Sequence, residues 1–111
     1  MRSNRTLKRL YNEYNHRYFA GKLPDVQIEF VTPEEMKRSG LAKHTCAVTC
    51  FNPGFRPAIF ISRTKHKTWG YIRSDLIHEM CHISKPRANH GKVFQDEMKR
   101  LALMNAFQDI W

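Results

Sequence analysis

Residues 71–83 read Tyr71-Ile72-Arg73-Ser74-Asp75-Leu76-Ile77-His78-Glu79-Met80-Cys81-His82-Ile83. Ile72, Leu76, Met80 and Ile83 recur at spacings of three and four, which predicts a helix with one apolar side. Pro86 forbids its continuation. His78 and His82 are four apart, so both imidazoles leave one helix face about one turn from each other. This is the H-E-x-x-H pattern, a spacing that suits a zinc ion about 2.1 Å from each nitrogen. Glu79 is rotated about 100° from His78 and does not join easily as a ligand. It can stand beside the metal and hold a water. Two solvated histidines on a surface helix are the bland alternative. The apolar side of the same helix, and a further histidine downstream, weigh against it.

That histidine is His90. Pro86 turns the chain, Asn89-His90-Gly91 opens a last helix, and Phe94 can dock that helix on the core one turn later. His90 is the expected third ligand. Glu97, two turns further on nearly the same face, is its competitor, because two-His, one-Glu zinc sites exist. Three protein ligands leave a fourth position for a water whose pKa falls to about 7. Glu79 would take its proton as general base and pass it to a departing amine. The chemistry expected is metal-assisted amide hydrolysis with one Zn2+. Tyr71 is a weak candidate oxyanion donor against the alternative of a packed aromatic. Asp75 and Asp96 can orient the histidines or merely solvate the surface.

Working outward, Leu7, Leu10, Tyr11, Tyr14, Tyr18 and Phe19 predict an N-terminal helix, closed by Gly21 and Pro24. Val26–Val31 alternates and reads as a strand. Thr32-Pro33-Glu34-Glu35 resembles a helix start that Ser39-Gly40 soon ends. Residues 44–51 and 58–61 read as second and third strands, separated by the Asn52-Pro53-Gly54 turn. The last helix runs from about Gly91 to Asn105, with Val93, Phe94, Met98, Leu101 and Leu103 apolar. The fold class expected is α+β: one domain over residues 1–111, with an N-terminal helix, a small three-stranded sheet, the H-E-x-x-H helix and a C-terminal helix.

Composition agrees with a single soluble domain. The chain has 111 residues, 41% hydrophobic and 26% charged. Nineteen Lys and Arg against ten Asp and Glu give +9. That surplus argues against cationic substrates and favours a polyanion such as nucleic acid. Three cysteines, Cys46, Cys50 and Cys81, are too few and odd for a disulfide scaffold. An intracellular setting is expected, cytoplasmic or associated with nucleoid or nucleus. No apolar run forms a secretory signal or a membrane span.

The order of motifs resembles a known family. Tyr11-Asn-Glu-Tyr14, then Tyr18-Phe19-Ala-Gly-Lys-Leu-Pro24, then Ile59-Phe60-Ile61-Ser62, Leu76-Ile-His-Glu-Met-Cys-His82 and His90-Gly91-x-x-Phe94 follow the SprT-like zinc metallopeptidases. The Spartan-type proteases of DNA–protein crosslink repair belong to this group. The resemblance covers about residues 6–105. It implies a minimal zincin-like single domain with zinc on His78, His82 and His90, Glu79 as catalytic base, and proteolysis of proteins bound or crosslinked to DNA. A nucleic-acid-binding module with a structural zinc is the alternative class. The metzincin continuation is absent, since Lys85 and Ala88 stand where it needs Gly and the third His.

Weaker signals complete the reading. Arg63, Lys65, His66, Lys67 and Trp69 form a basic stretch before the metal helix, able to track phosphates and stack a base, or simply solvated with Trp69 capping the core. Arg2, Arg5 and Arg9 share about one face of the first helix, and whether they adjoin that stretch is open. His44, Cys46 and Cys50 share a strand face, where buried small residues are a better account of the cysteines than a second metal site. Cys81 reads as core. The third strand is expected to offer an edge for a peptide substrate. A monomer that meets protein substrate and DNA, with no membrane contact, is expected.

Overall fold

The computed structural model describes residues 3–38, 47–51, 54–63, 68–86 and 90–107. Ser3 begins the first helix, α1 (Asn4–Tyr18): its side chain accepts the Thr6 N–H at 3.1 Å, satisfying a donor the helix itself leaves unpaired. Leu7, Tyr11, Tyr14 and Tyr18 are buried along one side, while Arg5, Arg9 and Arg17 stay exposed. Ala20 and Gly21, at φ 54° and 71°, turn the chain out of the helix. Asn15 then fastens the returning segment, its amide donating to the Leu23 carbonyl at 3.1 Å and accepting the Leu23 N–H at 3.0 Å. The Tyr11 hydroxyl donates to the Pro24 carbonyl at 2.7 Å. These bonds are the physical content of the Gly-Lys-Leu-Pro segment.

The strands are β1 (Gln27–Val31), β2 (Ala47–Cys50) and β3 (Ala58–Ser62). Between β1 and β2 lies a short helix, α2 (Pro33–Arg38). Thr32 caps it, its Oγ1 accepting the Glu35 N–H at 3.1 Å while its hydroxyl donates to the Glu35 carboxylate at 3.2 Å. This cap, with Met36 buried, sustains a helix of six residues and adds a fourth helix to the expected set.

The sheet order is β1-β3-β2, with β1 parallel and β2 antiparallel to β3. The expected free edge of the third strand is therefore corrected. β3 is central, with both rows of backbone groups paired, and β1 and β2 form the edges. Ala58, Ile59, Ile61 and Ser62 are buried, as a central strand covered on both faces requires.

Two longer helices follow, α3 (Trp69–Ser84) and α4 (Lys92–Leu103). Thr68 caps α3, accepting the Tyr71 N–H at 3.3 Å. Ile72, Leu76, Ile77, Met80, Cys81 and Ile83 are buried, joining α1 and the Ile28 and Phe30 face of β1 in one core. α4 buries Phe94, Glu97 and Leu101; Val93 and Leu103 fall off that stripe and are exposed, against expectation. Among the described residues no helix is long and apolar enough to cross a membrane. The architecture is a single α+β domain, with four helices and a three-stranded mixed sheet among the described residues.

Candidate metal centre

The helical period places His78 and His82 on one face of α3, ring centroids 5.0 Å apart. The turn after α3 brings His90 back over them. Its Nε2 lies 3.2 Å from Nε2 of His78 and 3.1 Å from Nε2 of His82. Phe94, one turn into α4, forms the floor. Its ring centroid is 5.0 Å from His78, 4.6 Å from His82 and 5.0 Å from His90. The aromatic expected to dock the returning helix thus also sets the ring planes of the histidines.

The donor set itself calls for a cation. An imidazole Nε2 has one in-plane direction, occupied by a hydrogen or by a lone pair. His90 therefore cannot serve both short contacts by hydrogen bonds. Two ligand nitrogens about 2.05 Å from one tetrahedral ion stand about 3.3 Å apart, close to the spacing seen. Burial first, then the neighbouring rings, pushes the His78 and His82 pKa values below the ordinary range. They stay in the neutral form a metal needs. The residues present fit a zinc ion held by His78, His82 and His90, whose candidate ligand atoms all lie within 4.8 Å of one another.

Glu97 does not take part. Its carboxylate instead accepts from Ser84 Oγ and Arg100 Nε. Burial alone would raise its pKa, but those two bonds outweigh burial and hold it below the ordinary range. Of the two alternatives for the third position, the histidine is the one brought to the cluster.

Glu79 is 5% exposed and lines the same cavity as the three histidines. Desolvation pushes its carboxyl up to about 7, against a lowering bond from Thr49. Thr49 Oγ1, on β2, donates to Glu79 Oε1 at 2.8 Å. The cavity measures about 380 Å³ and is walled by Ala47, Val48 and Thr49 of β2, with Phe51 and Pro86 at its rim. An edge strand thus runs directly beside the histidines. Sequence reading missed Thr49 and this edge, because thirty residues separate Thr49 from Glu79 and no local pattern links them.

The remaining expectations divide. Tyr71 lies two turns before His78, is 58% exposed and does not line the cavity. It is neither the packed aromatic nor a wall of the site. Cys81 is buried, its thiol raised to about 12 by burial and directed at the Met98 sulfur 3.2 Å away. The Arg63 guanidinium stacks on the Phe30 ring at 4.8 Å. Trp69 is half-buried against the core. Asp96 is exposed beside Lys92. Lys65, His66, Lys67, His44 and Cys46 lie outside the described residues; Cys50 is half-buried, outside any metal-competent group of described residues.

The SprT-like family model matches residues 7–109, nearly the whole chain. The chain belongs to the SprT-like family. No curated protein and no solved structure is significantly similar to it. In this SprT-like chain the family match spans both the fastened Gly-Lys-Leu-Pro segment and the three-histidine cluster, so fold and candidate site fall within one matched unit.

Proposed function

We propose that the chain is a zinc-dependent endopeptidase that cleaves proteins associated with or crosslinked to DNA, within the cell. The observation that carries the hydrolytic reading is the convergence of three Nε2 atoms beside a buried carboxyl that Thr49 holds in place. A bound zinc supplies a water of lowered pKa, about 7, and a Lewis acid for the scissile carbonyl. The residues of the chain do the rest. His78, His82 and His90 would offer nitrogen lone pairs to the metal. Glu79 accepts a proton at its carboxylate and returns it to the leaving amine. Its burial and raised pKa suit a group that must both take and release a proton near neutrality. The β2 edge along the cavity is placed to pair with an extended substrate segment, which would align a backbone amide with the histidines.

The +9 charge supports the DNA half of this reading. The test is metal content together with cleavage of casein and of histone, with and without single-stranded DNA. Wild type should hold about one zinc per chain. Glu79→Gln should keep the metal and lose cleavage by about 10²–10⁴-fold. Absence of bound zinc, or equal cleavage by the two proteins, would refute the hydrolytic reading. A structural-zinc module would keep its metal and show no cleavage in either form.

A further inference from the structure

A cavity of about 490 Å³ lies where the N-terminal halves of α1 and α3 meet. Thr6 and Arg9 line it from α1; Thr68, Trp69, Gly70 and Arg73 line it from α3. His78 is nine residues beyond Trp69, about 13 Å along the helix, so the cavity is separate from the histidine site. It answers the question the sequence left open, since an arginine of the first helix adjoins the tryptophan at the start of the metal helix.

The charge here is unusual. Helix N-termini carry partial positive charge and favour acidic side chains. Neither α1 nor α3 has an acidic residue in its first turn, and among the described residues no acidic one lines the cavity. Arg9 and Arg73 sit there instead, with Arg5 one turn before Arg9 on the same exposed face. The molecule's other basic cavity makes the contrast. It measures about 550 Å³ and holds His16, Arg17, Lys22, Lys85 and Arg100. These basic residues stand at or just beyond the C-terminal ends of α1, α3 and α4, where the helix dipole favours positive charge, and Glu97 is among them. The second basic cavity is thus accounted for within the chain and the first is not.

A second observation points the same way. Nε of Arg73 is buried and has no hydrogen-bond partner among the described residues. An orphaned buried donor is costly, so the Arg73 side chain has reason to shift toward an acceptor that enters the cavity. Trp69 packs partly on the core and gives the rest of its surface to the cavity. Two guanidiniums beside an indole match the backbone-plus-base chemistry of a single strand. A lipid headgroup or a phosphopeptide would use the cations and leave the indole idle. We propose that this cavity binds single-stranded nucleic acid, with phosphates on Arg9 and Arg73 and a base stacked on Trp69. The inference rests on the DNA half of the proposed function and is independent of the hydrolytic half. A strand held here would present its bound protein to the same helix that carries His78 and His82.

The test is fluorescence anisotropy of a labelled oligothymidylate of about 20 nucleotides, at about 50 and about 200 mM salt. Wild type should bind with affinity that falls steeply with salt. Arg9→Glu and Trp69→Leu should each weaken binding about tenfold. Arg73→Lys, which keeps the charge and removes Nε, should weaken it about threefold. Lys22→Glu and Lys85→Glu, the same charge change in the other basic cavity, should alter it less than about twofold. Where Trp69→Leu fails to fold, quenching of Trp69 emission by the oligonucleotide in a Trp111→Phe background reads the stacking directly. Equal weakening by Lys22→Glu and Arg9→Glu, an unquenched Trp69, or tighter capture of phosphatidylserine vesicles or a phosphopeptide than of the oligonucleotide would each overturn the proposal. Casein cleavage without oligonucleotide binding would overturn it while leaving the peptidase reading intact. Oligonucleotide binding with this mutational pattern supports it even where no cleavage is found.

Discussion

Thr49 is the residue that holds the Glu79 carboxyl, and on the proposed hydrolytic reading the activity of Glu79 turns on it. Its hydroxyl donates to Glu79 Oε1 at 2.8 Å and so orients a carboxyl that burial has cut off from water. We expect Thr49→Val to lower kcat by about tenfold with KM changed little, since the bond orients a proton acceptor rather than the substrate. Thr49→Ser restores the hydroxyl and should restore most of the rate. Steady-state kinetics on a fluorogenic peptide distinguish this from general destabilisation, which Thr49→Ser would not rescue selectively. His78, Glu79 and His82 were legible in the sequence because helical period alone sets their relation. His90 was legible because a turn of a few residues limits where the chain can go. Thr49 was not, because strand and helix meet only through tertiary packing.

At the scale of elements, α4 is joined to the rest through a polar knot. Glu97 accepts from Ser84 at the end of α3 and from Arg100, whose guanidinium also donates to the Tyr18 carbonyl at the end of α1 at 2.9 Å. Three helix ends meet at one buried carboxylate. Glu97→Ala should destabilise the fold by about 1–3 kcal/mol, as expected for loss of charge-assisted bonds with Arg100 still able to reach water. The pH dependence follows from the lowered folded pKa. The Glu97 contribution is fully present above the unfolded value near 4.5 and is lost as pH falls through the lower folded value. Urea midpoints at pH 6 and at about pH 3 should therefore converge between wild type and Glu97→Gln as pH falls. The elements themselves were largely readable: periodicity located α1, β1, α3 and α4 within a few residues. The strand order was not. Ala58-Ile59-Phe60-Ile61 announces a strand buried on both faces, yet which neighbours bury it depends on pairings between segments with no shared local signal.

On the scale of the whole molecule, the three histidines join elements that otherwise touch lightly. α3 supplies two of them and the start of α4 the third, with β2 closing the wall. With no cation between them, the two short Nε2 contacts cannot both be favourable, so the metal-free form carries its own opposition to that closure. A zinc ion that binds the folded chain alone stabilises it by about 2.7 kcal/mol at a hundredfold excess over Kd. For a chain of this size that corresponds to a rise in Tm of roughly 10 °C. We expect EDTA to lower Tm by about that amount and added zinc to restore it. His90→Ala should abolish most of the zinc-dependent shift while keeping the helices by circular dichroism. Glu97→Gln should lower Tm yet retain the shift, because its carboxylate is bound to Ser84 and Arg100 and not to the cluster. If the two variants exchanged behaviours, Glu97 rather than His90 would be the third ligand. If neither altered the shift, the metal would be binding elsewhere in the fold.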